Sequence, residues 1–325
     1  MDALSMLLKN VHLYETKYYC LKGNDKWSYS LARKDTIIFY LVLKGGFCIE
    51  IDGIQRQAST GDIIMIPHAK YHVSYAMEHH GKCAKAIDDL LTQSDNKPVQ
   101  INDTQGMCNA DLVLVECSYD KEVTRPLLSA LPDMLPEHGH QSKTGRKVLD
   151  MGMEFLSIES REERLGKSAM INRLASLLMI ECLRAYIESL PDATDSWLRA
   201  LKDPYLAKAL AVMHNSPEQS WTINQLAEIV GMSRSSFAER FKQVVGMPPL
   251  TYLIDYRMRL AARYLRLQQN SISRISELVG YSSDSTFSQA FKRVYGISPR
   301  SYRQKMIEEG HFIGEYNDAN TSDDE

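Results

Sequence analysis

The sequence predicts an α+β chain: a β-rich N-terminal half, a helical connector, and an all-α C-terminal region with two helix-turn-helix units. Three observations carry this reading. Between about residues 27 and 78, apolar residues alternate in short runs broken by glycine, the period-2 pattern of strands. From about Arg146 the period changes to 3.6, as amphipathic helices require. Near the C-terminus one motif is written twice, as SSFAERFKQVVGMPPLTYL over 235–253 and STFSQAFKRVYGISPRSYR over 285–303.

The elements follow in order. A chain of 325 residues suggests about two domains. Its start, MDALSMLLKNVHLYETKYY, lacks a basic region, a long apolar core and a small-residue cleavage site, so a cytoplasmic protein is expected. No run of 18 apolar residues is present, so no membrane partner is expected. DTIIFYLVLKG, FCIEIDG and GDIIMIP read as strands, and ADLVLVECSY as another. KAIDDLLTQSDNKPVQINDTQG reads as a short helix and a polar loop. KVLDMGMEFLSIESREER and SAMINRLASLLMIECLRAYIESL read as helices. The second has little polar face, so it sits in a core or packs on a second copy in a homodimer. The expected layout is a β-rich domain over 1–140, a helical connector over 141–196 that packs in a core or on a second copy, the paired helix-turn-helix region over 197–307, and an acidic disordered tail over 308–325.

Aligning the two copies on Phe237 and Phe287 brings Phe241 onto Phe291, Lys242 onto Lys292, Gly246 onto Gly296, Pro249 onto Pro299 and Tyr252 onto Tyr302. Each copy follows a short amphipathic helix and a glycine, Gly231 or Gly280, placed where a tight turn needs positive φ. That order makes a helix-turn-helix. Ser233, and Ser283 or Asp284, are candidate N-caps. Phenylalanines four apart share one helix face and anchor it. The opposite face carries Arg234, Ser235, Ala238, Glu239 and Lys242 in the first copy. It carries Asp284, Ser285, Ser288, Gln289 and Lys292 in the second. Such small polar side chains admit a helix to a DNA major groove. PLTYLIDYRMRLAARYLRLQQ between the copies reads as one long helix, its arginines Arg257, Arg259, Arg263 and Arg266 alternating with apolar residues, with a solvated face as the plain alternative for several of them. It would set the two readers about one DNA turn apart, roughly 34 Å.

Charge agrees. Residues 221–305 hold 13 Lys and Arg against 5 Asp and Glu, whereas the whole chain is at −3. A basic block on an acidic chain points to a polyanion, here double-stranded DNA.

With these residues in view, the chain resembles the AraC/XylS family of bacterial transcription regulators. ISRISELVGYSSDSTFSQAFKRVYGISPRSYR is similar to that family's second helix-turn-helix signature. The resemblance implies a seven-helix DNA-binding domain over about 203–305, a transcription regulator (an activator), contact with RNA polymerase, and an effector bound by the N-terminal domain. The N-terminal half resembles the cupin-type domain of one branch, through Trp27, FYLVLKG, GDIIMIPHAKYH and LVLVECSYDKEVTRPLLSALPDML. That implies a cupin-like β-barrel, with His72 at its mouth. Tyr40 stands where relatives often carry His, which argues against a cupin metal site.

Three readings of the sensor are open. Trp27, Tyr40 and His72 are candidates to line a pocket for a small organic effector. Cys20, Cys83 and Cys117 are redox candidates, Cys20 and Cys83 because lysines flank them and Cys117 from its place at a strand end. His68, His72 and Cys83 are candidate zinc ligands, although PHAKYH does not have diagnostic spacing. No cofactor is expected beyond such a zinc. The six cysteines lack CxxC spacing, which argues against a disulfide framework or zinc ribbon. The competing class is a cupin-type metal-dependent enzyme fused to a DNA-binding domain. Without a full ligand set or a convergent acid–base pair, the expectation is no enzyme activity.

Overall fold

The computed structural model describes residues 2–9, 11, 13–78, 84–94, 98–101, 109–136, 143–161, 164–191, 194 and 196–308. Cys83 and residues 309–325 of the expected acidic tail lie outside the described residues. The chain divides into a sheet unit, residues 12–119 with 127–191, and a helical unit, residues 1–11 and 120–126 with the chain from residue 192.

Eleven strands are described: β1 (Leu13–Gly23), β2 (Ser28–Leu31), β3 (Thr36–Lys44), β4 (Gly46–Ile51), β5 (Ile54–Ser59), β6 (Ile63–Ile66), β7 (His72–Ala76), β8 (Lys85–Ala86), β9 (Val99–Gln100), β10 (Ala110–Tyr119) and β11 (Leu135–Pro136). They form two sheets, in the orders β11-β6-β3-β10-β1-β9 and β5-β4-β7-β2-β8. The expected cupin-like architecture is present, but as two sheets sharing one core rather than a closed barrel. Alternate residues of each strand enter that core: Ile38, Tyr40 and Val42 of β3, Phe47, Ile49 and Ile51 of β4, Ile64 and Ile66 of β6, Leu112 and Leu114 of β10. The other set on β3, Ile37, Phe39 and Leu41, is equally buried. A strand buried on both faces must read as a continuous apolar run, as TIIFYLVLK does.

The second face is covered by helices. In chain order the helices are α1 (Ala3–Leu8), α2 (Asp88–Thr92), α3 (Lys121–Leu128), α4 (Lys143–Arg161) and α5 (Lys167–Ser189). Helices α4 and α5 pack on one another and on β1, β3 and β10. The apolar residues of α5, among them Ile171, Leu174, Leu178, Cys182 and Leu183, are buried within this unit. This side of α5 takes the core alternative, whereas Met170 and Leu177 of the same helix stay exposed.

Helices α1 and α3 and strand β1 were not expected from the sequence, nor were the two-residue strands β8, β9 and β11. Alternation along β1 is broken by a register shift between Tyr14 and Lys17, with Glu15 at φ 48. An irregular strand loses the period-2 signal.

The helical unit continues through a 3-10 turn (Trp197–Leu201) to α6 (Pro204–Asn215), α7 (Ile223–Val230), α8 (Arg234–Val245), α9 (Pro249–Leu267), α10 (Ile272–Leu278), α11 (Asp284–Tyr295) and α12 (Pro299–Glu308). From α6 onward these are seven helices among the described residues, as the family resemblance implies. They fill two clusters. Leu206, Leu210, Met213, Leu226, Phe237, Phe241 and Tyr252 surround the first copy. Tyr256, Leu260, Leu265, Ile275, Phe287, Phe291 and Tyr302 surround the second. No helix among the described residues is long and apolar enough to cross a membrane.

Candidate nucleic-acid interface

Each reading helix is started and stopped by its own sequence. Ser233 caps α8, accepting from the Ser236 amide at 3.2 Å, and Ser283 caps α11, accepting from the Thr286 amide at 3.2 Å. A capped N-terminus satisfies an amide that the helix itself cannot. Gly246 and Gly296 close the two helices in the left-handed conformation, at φ 85 and 78. The turn before α11 needs glycine twice over. Gly280 has φ 77, and a Cβ there would stand 2.5 Å from the Glu218 carbonyl oxygen.

The repeated aromatic residues anchor the helices alike. Phe237 and Phe241 sit 5.7 Å apart between ring centroids, and Phe241 meets Tyr252 at 5.8 Å. Phe287 and Phe291 sit 5.8 Å apart, and Phe291 meets Tyr302 at 5.4 Å. All four phenylalanines are fully buried. With that face fixed inward, the opposite face must point to solvent. Arg234, Ser235, Glu239 and Lys242 of α8 are exposed, and Ala238 is partly buried. On α11, Asp284, Ser285, Gln289 and Lys292 are exposed, and Ser288 is partly buried. The carboxylate of Asp284 accepts a hydrogen bond from the Ser273 hydroxyl, which ties the start of α11 to α10.

The arginines of α9 correct an expectation. They do not form a solvated face. Arg257 donates to the carbonyls of Pro217 (2.6 Å) and Gln219 (2.7 Å) and lies over the Tyr281 ring. Arg259 pairs with Asp255, and Arg263 and Arg266 are buried. Arg240 of α8 pairs with Asp203 at 2.6 Å. These cations serve the fold, so the formal charge of the block overstates what faces a phosphate backbone.

Sequence reasoning also missed His214. Its Nε2 lies 2.8 Å from the Tyr252 hydroxyl, and its ring stacks on Tyr256 at 3.9 Å. Burial pushes its pKa down to about 3, with Arg259 adding in the same direction. It is a neutral core imidazole.

In the sheet unit, Tyr40 and His72 meet directly, and Trp27 joins them through Phe47. Trp27 and Tyr40 belong to the buried core, both rings contacting Phe47. His72 Nδ1 is 2.7 Å from the Lys70 carbonyl oxygen and Nε2 is 2.8 Å from the Tyr40 hydroxyl. A carbonyl only accepts, so Nδ1 carries the proton and Nε2 accepts from Tyr40. Burial lowers the His72 pKa to about 4, with Arg33 contributing. The hydroxyls of Tyr29 and Ser74 stand beside that of Tyr40. Neither reaches a partner in good hydrogen-bonding geometry, nor does the indole N–H of Trp27.

The other sensor candidates are less favoured. His68 is half-buried. Among the described residues no three of His, Cys, Asp and Glu converge as metal ligands would. Cys20 is half-buried on β1. Cys117 is fully buried, its sulfur accepting from Thr16 Oγ1 at 3.4 Å, and burial pushes the thiol up to about 12. A sensor thiol needs the opposite shift. An alkylating reagent at pH 7 is expected to leave Cys117 unlabelled in the native chain, as peptide mass mapping would show. Labelling before unfolding would contradict its buried, protonated state.

Comparison with known proteins agrees with this geometry. A helix-turn-helix domain model matches residues 226–305, and a cupin model matches residues 2–188. The HTH-type transcriptional regulator AlkR of Acinetobacter baylyi is 36% identical over 308 residues, covering 94% of this chain and 100% of the relative. A Streptomyces antibioticus protein described as an AraC-like transcription regulator is 29% identical over 311 residues, covering 93% and 97%. The DNA-binding domain of AdpA, solved in complex with a target DNA, is 28% identical and covers 33% of this chain and 95% of its own, with a TM-score of 0.31. This chain belongs to the AraC-type family of DNA-binding transcription regulators, in the branch that carries a cupin domain ahead of its helix-turn-helix domain.

Proposed function

We propose that this regulator is an activator that reads two successive major grooves of promoter DNA with α8 and α11. The cupin unit tunes that reading in response to a small organic effector. One observation carries the DNA reading: the same buried Phe-Phe-Tyr anchor occurs under both helices, each presenting a short polar face to solvent. Small side chains such as Ser235, Ser285 and Ser288 allow close approach to base edges. Glu239 and Gln289 are long enough to bond them, Glu accepting from cytosine and Gln pairing with adenine. Lys242 and Lys292, one turn later, suit phosphate contacts.

Mutations separate these roles. Glu239→Ala and Gln289→Ala are each expected to cost about 1–3 kcal/mol on the preferred duplex and to relax preference at one position. Lys242→Ala and Lys292→Ala are expected to weaken all duplexes alike, and each to lower the salt slope of binding by about 1. Titrations on preferred and scrambled duplexes at several salt concentrations check this. Equal losses on both duplexes for Gln289→Ala would remove it from the reading set.

The effector reading rests on the hydroxyls of Tyr29 and Ser74, which are buried without a well-made hydrogen bond beside that of Tyr40, the partner of His72. Buried polar groups normally find a partner, so this cluster suits a compact molecule with both acceptor and donor groups. Contact with RNA polymerase follows the family. Transcription from a promoter bearing the preferred duplex, run with purified polymerase, tests activation: a rise supports it and a fall makes the chain a repressor.

A further inference from the structure

The helical unit takes in residues 120–126, which follow directly on the last residue of β10. Charge explains the placement. Arg266, in the last turn of α9, has a side chain only 8% exposed. A guanidinium buried to that degree needs a counter-ion and bonded neighbours. Asp120, itself 4% exposed, bonds Arg266 Nη2 across 146 residues of sequence. Glu122 lies 3.9 Å from Nη1 and accepts from the Tyr295 hydroxyl at 2.8 Å. Arg266 Nη1 donates to the Tyr302 hydroxyl at 3.4 Å.

These bonds join one short segment to three elements of the second helix-turn-helix. Arg266 belongs to the helix that leads into it, Tyr295 is the last residue of α11, and Tyr302 lies on α12. The repeat shows what is special here. Tyr252 and Tyr302 occupy matching positions in the two copies. The hydroxyl of Tyr252 is met by His214 of α6, inside the C-terminal region. The hydroxyl of Tyr302 is met by Arg266, whose charge is balanced by Asp120 and Glu122 from far upstream. The reading face of α11 remains exposed, so this arrangement braces the helix and does not cover it.

We propose that Asp120 and Glu122 are positioning residues for DNA reading: they brace α9 and the C-terminal end of α11, and so hold the second reading helix in its pose. The proposal rests on the reading of α11 as a DNA-contacting helix.

The test uses the full chain and the duplex that the wild type selects from a randomised library. Asp120→Asn is expected to bind that duplex roughly tenfold more weakly. Base changes in the half-site read by α11 should lose their penalty, while those in the half-site read by α8 should keep theirs. Wild-type affinity and discrimination would overturn the proposal. So would an equal loss on both half-sites and on random DNA, the mark of a general folding defect. Should Asp120→Asn not fold, Glu122→Gln and Tyr295→Phe decide. Tyr295→Phe keeps the ring on Phe291 and loses only the bond to Glu122, and the same one-sided loss, at smaller size, is expected. Wild-type discrimination by both variants overturns the proposal. Gln289→Ala separates the two levels. If it relaxes its half-site and the brace variants do not, the brace alone fails. If it relaxes nothing, the reading by α11 fails and the brace falls with it.

Discussion

Phe291→Ala is expected to cost about 3–5 kcal/mol, the usual range for emptying a fully buried aromatic site. The ring is 0% exposed and meets Phe287, Tyr295 and Tyr302 with centroids 5.8, 4.5 and 5.4 Å away. Its loss removes the piece that fixes the inner face of α11 and joins it to α12. Specific DNA binding should fail together with stability, since the polar face is aimed only while the apolar face is held. Phe241→Ala should behave alike, because Phe241 meets Phe237 and Tyr252 in the same way. Lys292→Ala, one residue along and exposed, should stay within about 0.5 kcal/mol of the wild type in stability. Denaturant melts of the three variants check the set. A loss below about 1 kcal/mol for Phe291→Ala would remove the repeated phenylalanine from the role of anchor.

Mild acid is expected to destabilise both units. Each buries one neutral imidazole: His72, lowered to about 4, and His214, lowered to about 3, in both cases mainly by burial. Unfolding returns each ring to water and to an ordinary value near 6.5. Below that value the unfolded chain takes up protons that the folded chain refuses, so stability falls as pH drops from about 6.5 through the folded values. Above about 6.5 the two states bind equal numbers of protons and this contribution is fully present. Each histidine should account for about 2 kcal/mol of loss between pH 7 and pH 5. His72→Gln should lower stability at pH 7 and flatten the acid limb for the sheet unit alone. A wild-type acid limb in that variant would show that His72 does not titrate on unfolding.

The helical half was legible because its signals are local. Serine caps, positive-φ glycines and phenylalanines four apart act within one turn of chain, and the repeat printed them twice. The candidate reading residues followed by subtraction, since the face opposite two buried phenylalanines has to be the outer one. What was not legible depends on distant partners. The arginines of α9 looked like a solvated row because sequence spacing cannot show that Pro217, Gln219 and Asp120 would meet them. The apolar α5 left a core and a partner both open, because sequence spacing cannot show that β1 and β10 lie against its buried side. Cys117 looked like a sensor by position. Its burial comes from both faces of the six-stranded sheet being covered, which no local pattern in ADLVLVECSY reveals.

The most direct test of the central claim is the DNA that the full chain selects from a randomised duplex library. Two readers on one chain predict two enriched half-sites about one helical turn, roughly 10 base pairs, apart. Repeating the selection with Gln289→Ala should relax one of them and leave the other. A single enriched half-site would mean that only one copy reads DNA, and selection of no sequence would contradict the account altogether.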